Sequence, residues 1–219
     1  MLREAGYKNI SLDLMYGLPG QTMDMWKRDV EEVMSLQVPH LSAYSLQWEE
    51  GTPLYRMLER GEVAEASDEV SREMYEYIVR TAAMYSMEHY EVSNFALPGQ
   101  YSKHNSSYWN DTPYIGLGAG AHSYDGKSRK WNISHIDSYI QQASAHTLLP
   151  ELETLTEEQH HTEQIMLGLR TNQGITIDKI DISKAEPYIA QGLLLQHNNR
   201  IYASTKGFHI LNRIIEDLI

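Results

Sequence analysis

Asn9-Ile10-Ser11-Leu12-Asp13-Leu14-Met15-Tyr16-Gly17-Leu18-Pro19-Gly20-Gln21-Thr22 is the stretch that decides the fold. Over its first residues the apolar side chains Ile10, Leu12 and Leu14 alternate with Asn9, Ser11 and Asp13, the period of a strand with one buried face. Gly17 to Gly20 reads as a turn. Thr22 then caps a helix running to about Leu36, with Met25, Trp26, Val30 and Val33 on its apolar side. Pro39 ends that pattern, and Leu41 to Trp48 reads as a second strand. Strand, helix and strand at these lengths make a βαβ unit, which implies a parallel pair with a right-handed crossover. Leu2 to Gly6 reads as the last turn of a helix closed by its glycine. Strands upstream of it are therefore expected, and the chain is expected to be a fragment of a larger α/β domain.

Working outward, Glu49 to Pro53 leads into a short helix through Arg60, and Ser67-Asp68 opens a long amphipathic helix to about Met87. Tyr90-Glu91-Val92 reads as a further strand. From Ser93 to Ser123 periodicity is lost among Asn, Ser, His, Gly and aromatic residues, and a structureless loop of that length inside a domain is usually functional. Trp131 to Ile133 reads as a strand, Ile136 to Ala143 as a short helix and Pro150 to Thr156 as a linker. Beyond it come a helix from Glu157 to Leu169, a broken helix over Ile177–Ile180 and Ala185–Ile189, and a hairpin turning at Asn198-Asn199. A last helix, Phe208 to Leu218, is capped by Thr205. Helices followed by a hairpin indicate a small winged-helix-like appendage.

Composition narrows the function classes. Eighteen Lys+Arg against 30 Asp+Glu give a formal net charge of -12 over 219 residues, which argues against a general nucleic-acid or anionic-membrane surface. The low basic content of the helix–hairpin segment disfavours DNA reading by it. No stretch approaches the roughly 20 apolar residues of a membrane span, and the start has no apolar run that would serve as a secretory signal. A cytoplasmic location is the default expectation. There is no cysteine, hence no disulfide, thiolate metal site or cysteine nucleophile.

Four places could carry chemistry. Asp13 lies on the face opposite three aliphatics, near the carboxyl end of its strand; it is either a carboxylate facing a barrel lumen or part of a solvent-facing polar stripe. Gly17 to Thr22 could present amides to a phosphate at a helix start, but lacks the lysine of a phosphate loop, and a plain βα turn accounts for it better. Lys103-His104-Asn105-Ser106-Ser107-Tyr108-Trp109 sets one imidazole among aromatics, either an iron or zinc ligand or simply a hydrogen-bonding loop histidine. Gly116 to Ser123 either lets backbone approach a ligand, with His122 beside it, or is a tight bend packed on a strand. His160 and His161 are adjacent on a helix, do not share a face, and read as solvent-exposed.

These segments together resemble the HemN/HemW branch of the radical S-adenosylmethionine superfamily. The resemblance rests on the opening strand and turn, on His40-Leu41-Ser42-Ala43-Tyr44-Ser45-Leu46, on Glu49 to Pro53, on Tyr90 to Ala96, and on Tyr114 to Ser123. His104-Asn105-Ser106-Ser107-Tyr108-Trp109 has the His-Asn-x-x-Tyr-Trp pattern of HemW-like proteins, as opposed to coproporphyrinogen III dehydrogenases. Gly192-Leu193 and Thr205-Lys206-Gly207 sit as in the family's small C-terminal domain.

The resemblance implies an α/β fold: the C-terminal part of a partial TIM-like (β/α) barrel over residues 1–149, then a small helical, winged-helix-like HemN C-terminal domain over 150–219. It assigns Asp13, Gln47 and His122 to S-adenosylmethionine, and His104 to haem iron with Tyr108 and Trp109 nearby. It implies a haem chaperone that hands haem to acceptor proteins, or alternatively an oxygen-independent coproporphyrinogen III oxidase or a cluster-free interaction domain. The family's 4Fe-4S cluster is held by three cysteines early in the barrel. This chain has none, in keeping with an N-terminally truncated protein whose exposed barrel edge is open to pairing with a second copy.

Overall fold

The structure, a computed structural model, describes residues 2–219, which form two compact units: 2–102 with 204–209, and 103–203 with 210–219. These follow compactness, whereas the division at 149/150 follows the family pattern.

In the first unit, β1 (Ser11–Tyr16), α1 (Met23–Ser35) and β2 (His40–Ser45) are the βαβ unit read from the sequence, with β1 and β2 parallel from Ser11–His40 to Tyr16–Ser45. Thr22 caps α1, its hydroxyl accepting from the Met25 amide at 3.2 Å. The turn before β1 closes with Tyr7 N–H on Leu2 O and Gly6 N–H on Arg3 O, the paired bonds of a helix terminus. After α2 (Pro53–Glu59) and the long α3 (Asp68–Met84) come β3 (Glu88–Glu91) and β4 (Asn94–Ala96). Both are antiparallel additions, and the sheet order is β1-β2-β4-β3.

Trp26 and Val30 of α1, Met74 and Ile78 of α3, Leu41 of β2 and Phe95 of β4 form the buried core, with Leu12 and Leu14 packed against it. Trp26 is fully buried, and its indole N–H donates to Met74 O at 2.8 Å. The opposite face of the sheet carries Ser11, Asp13 and Met15, all exposed. A short helix late in the chain, residues 205–208, belongs to this unit, and Phe208 and His209 pack on its aromatic cluster.

The second unit begins with α4 (Lys103–Trp109). An antiparallel sheet follows, made of β5 (His122–Tyr124), β6 (Ser128–Trp131) and β7 (Glu151–Thr154), with α5 (Ile136–Ser144) between the last two. Next come α6 (Glu157–Gly168), β8 (Ile175–Thr176), a 3-10 turn at Ile177–Lys179, α7 (Ile182–Ala190), β9 (Leu194–His197) and β10 (Arg200–Ala203). With the 205–208 helix numbered α8, the chain ends in α9 (Leu211–Leu218). Strands β8-β10-β9 form one antiparallel sheet, and α6, α7 and α9 bury Ile165, Ala185, Ile214 and Ile215 beside it. This is the winged-helix-like arrangement the sequence indicated.

The wing turns at Asn198 and Asn199, both left-handed (φ 48° and 63°), as a two-residue hairpin of matching twist requires. Thr156 and Gln159 close a reciprocal capping box at the start of α6. Gly174, φ +59°, lies so close to β10 that an added Cβ would sit 2.0 Å from Ile201 O.

Four local readings are corrected. The aperiodic stretch 93–123 is not structureless: it contains β4 and α4, and α4 shows no period because none of its residues is buried. The linker over 150–156 is an edge strand, β7, whose four residues are all exposed and which is held by its ladder with β6. The last helix is two, α8 and α9, and Ser204 rather than Thr205 caps the first by accepting from the Gly207 amide. The second strand ends at Ser45 instead of running to Trp48.

His89 offers a test of the first unit's packing. Its ring stacks on Phe95 at 4.6 Å and meets Phe208 at 5.1 Å and Tyr75 at 5.8 Å, and burial pushes its pKa down to about 4. The unfolded chain therefore binds the proton first as pH falls: the contribution is complete above the free imidazole value and is lost on the way down towards 4. Glu91, whose carboxyl burial pushes up, acts with the opposite sign. The comparison is thus with His89→Phe, in which a loss on the order of 1–2 kcal/mol between pH 7 and 5 is expected to disappear from the urea unfolding curves. Identical pH slopes in the two proteins would show that His89 is not buried as described.

Candidate functional site

Parallel register fixes which side chains share the helix-free face of the first unit's sheet. Ser11 pairs with His40, Asp13 with Ser42, Ser42 with Asn94, and Asn94 with Glu91, so one polar row runs Asp13–Ser42–Asn94–Glu91 across all four strands. Asp13 is its exposed end, while Ser42, Asn94 and Glu91 are buried. The Asn94 side-chain amide donates to Glu91, and among the described residues the Asn94 Oδ1 has no hydrogen-bond partner.

Beside this row lies a relay that sequence reading missed. His40 Nδ1 is 2.7 Å from Ser11 Oγ, His40 Nε2 is 2.8 Å from Tyr90 Oη, and the Ser102 amide donates to Tyr90 Oη at 3.3 Å. With that oxygen already accepting, the tyrosine proton is assigned to His40 Nε2 and the Nδ1 proton to Ser11. Burial lowers the His40 pKa, opposed by the Asp13 charge, so the ring is the neutral member of the relay. Burial likewise pushes the Tyr90 phenol up to about 12. The available signal was the register of two polar residues, Ser11 and His40, on adjacent parallel strands. Gln47 is exposed and lies just past the carboxyl end of β2.

In the second unit, His104 and Tyr108 lie one turn apart on α4, both exposed, with their rings edge-on at 5.1 Å. No hydrogen bond to the His104 ring is present among the described residues, so its nitrogens are open to a ligand. Trp109, partly buried, lines a different surface: a cavity of about 290 Å³ shared with Asp111, Gln164 and Arg200. The structure thus brings His104 and Tyr108 together and turns Trp109 elsewhere. Tyr108 meets Tyr114 edge-on at 4.9 Å, and Tyr114 meets Tyr124 at 6.2 Å.

His122 opens β5, is exposed and stacks on Trp131 at 5.8 Å. The glycine-rich run before it is a bend pressed on that strand, with the Gly116 amide donating to Ser123 Oγ at 3.0 Å. His160 is not free in solvent as read from the sequence. Its Nδ1 is 3.4 Å from Tyr124 Oη, and its Nε2 is 3.3 Å from Asp111 Oδ2. Its neighbour His161 lines a cavity of about 500 Å³ with Lys127 and Lys179.

Donor chemistry sorts what these residues can hold. Among the described residues no group of three or more His, Cys, Asp or Glu side chains is placed to hold a metal ion, and a chain without cysteine does not fit a thiolate-held cluster. A single open imidazole fits one axial position of an iron already held by a macrocycle. An exposed carboxylate, acceptor-only when ionised, fits a pair of ribose hydroxyls. No helix among the described residues is long and apolar enough to cross a membrane.

The HemN C-terminal domain family matches residues 155–210. Heme chaperone HemW of Lactococcus lactis is 37% identical over all of this chain and 60% of its own length; heme chaperone HemW of Mycobacterium tuberculosis is 34% identical over 98% of this chain and 56% of its own length. The solved structure of Escherichia coli coproporphyrinogen III oxidase HemN, a radical SAM enzyme, superposes with a TM-score of 0.74 at 17% identity, over 98% of this chain and 56% of that one. That likeness shows the fold. The chain spans about 56–60% of the length of these three proteins.

The glycine bend is open to a direct test. A Cβ on Gly116 would lie 2.0 Å from His122 O, backbone that cannot yield as a side chain would. Gly116→Ala is expected to cost about 2 kcal/mol or more in urea unfolding and to change the fluorescence of Trp131, on which His122 stacks. An alanine variant of unchanged stability and spectrum would mean that the bend does not press on β5.

Proposed function

The chain belongs to the HemN/HemW branch of the radical S-adenosylmethionine proteins, and from that premise we propose that it is part of a haem chaperone, carrying haem on α4 for transfer to acceptor proteins. The observation that carries this reading is His104: an exposed imidazole without a hydrogen bond among the described residues, set against the edge of Tyr108, within a His-Asn-x-x-Tyr-Trp sequence. The 37% identity to a protein named as a heme chaperone supports it. Haem is cargo here. His104 supplies one axial nitrogen, Tyr108 flanks the ligand ring, and Trp109, on the far side of α4, has at most an indirect part.

Asp13 would hold S-adenosylmethionine in the first unit, its carboxylate accepting from ribose hydroxyls, with Gln47 at the strand end as a further contact. His122, which the resemblance also assigns to this cofactor, lies in the second unit. When bound beside a reduced cluster this cofactor supplies radical chemistry, and no step through a cluster is derived for a chain without cysteine. The place of action is taken to be the cytoplasm, and the outer edge of β1, the end strand of its sheet, is where a second copy would pair. The alternative, a coproporphyrinogen III oxidase, rests on a likeness that shows fold alone; an interaction domain without cargo is the reading left if haem does not bind.

Titration with haemin is expected to give a histidine-type Soret band in the parent chain, and His104→Ala is expected to lose that band together with about tenfold or more in affinity. Retention of band position and affinity in the alanine variant would remove His104 as the ligand.

A further inference from the structure

Helix α4 poses a packing problem. It has seven residues, none of them buried, and a helix so short is not stable by itself in water. What fixes it is at its carboxyl end. Thr112 N–H bonds Ser107 O at 3.0 Å and Asp111 N–H bonds Tyr108 O, so Asp111 occupies the left-handed position that closes the helix, with φ 55°. Glycine is the residue that takes this conformation without strain. An aspartate there calls for a use of its side chain, and the structure gives one: Oδ2 lies 3.3 Å from His160 Nε2.

His160 completes a closed circuit. From His104 the contacts run through the rings of Tyr108, Tyr114 and Tyr124, then to His160 Nδ1, across the imidazole to Asp111, and back by the Asp111 amide to Tyr108 O. Burial, then the Asp111 carboxylate, push the Tyr124 phenol pKa up, so the phenol stays neutral and can donate to His160 Nδ1. Gln164, one turn beyond His160 on α6, approaches His160 Nε2 at 2.9 Å. Both ends of α4 are thereby referred to a helix 49 residues on in the sequence.

We propose that Asp111 and His160 are a positioning pair for the haem ligand, setting the direction and plane of the His104 imidazole by locking the carboxyl end of α4. Neither residue touches the cargo. This rests on the reading of His104 as the axial ligand, and the experiment separates the two.

The 219-residue chain is loaded with haemin and compared with His104→Ala, Asp111→Gly, His160→Ala and His160→Gln. Readouts are the ferric EPR g-anisotropy, which reports imidazole orientation, and the rate of haemin loss to apomyoglobin. Asp111→Gly is the discriminating variant, because glycine suits the left-handed site and leaves the helix end closed while removing the carboxylate. Asp111→Gly and His160→Ala are expected to keep the Soret band, shift the EPR signal and lose haemin about tenfold faster, with His160→Gln partly restoring both because its amide can still donate to Asp111. If His104→Ala loses the band but a folded Asp111→Gly matches the parent in spectrum and dissociation rate, the positioning role is wrong and the ligand assignment stands. If His104→Ala keeps the band, both fall.

Discussion

The first unit depends on one buried indole. A parallel strand pair is stable only when its crossover helix packs back on the sheet, and here Trp26 does the filling, fully enclosed between α1, α3 and the apolar face of β1 and β2. Its N–H, which would be a costly orphan at that depth, donates to a carbonyl of α3, so one side chain fixes the crossover helix to the next helix as well as to the sheet. Everything on the far face follows from that placement. With the aliphatics committed to the helices, the alternation leaves Ser11, Asp13, His40 and Ser42 together on the other side. There the polar row and the Ser11–His40–Tyr90 relay form without competing with the core.

How much of this the residues announced depends on whether an element buries a face. β1, α1 and α3 bury one, so their periods are plain, and the Asn198-Asn199 hairpin is legible because its chemistry is local. α4 and β7 bury nothing. They are held by end closure and by a strand ladder, and neither leaves a hydrophobic period in the sequence. His104, Tyr108 and Trp109 come together through the family resemblance, and the structure sets Trp109 apart from the other two. His160 was misread for a related reason: its partners Asp111 and Tyr124 are 49 and 36 residues away, and a polar contact across such distances has no pattern in one dimension.

The two units solve the same problem differently. The first stabilises its candidate face through a large apolar core beneath it, whereas the second spreads its core through the winged part and holds α4 by rings and a carboxylate. An exposed helix held by polar ties rather than by packing can be adjusted by single substitutions without unfolding the domain beneath it.

Gly174 carries a consequence of another kind. Backbone of β10 fills the space where any side chain would start, so position 174 admits one residue type for as long as β8 and β10 stay joined. Drift elsewhere in the winged part is restrained only by volume and polarity, which many sequences satisfy. A glycine ahead of the short strand is therefore a durable marker: among far-diverged sequences, its loss would signal that the three-stranded sheet has been abandoned even where the helices around it still align.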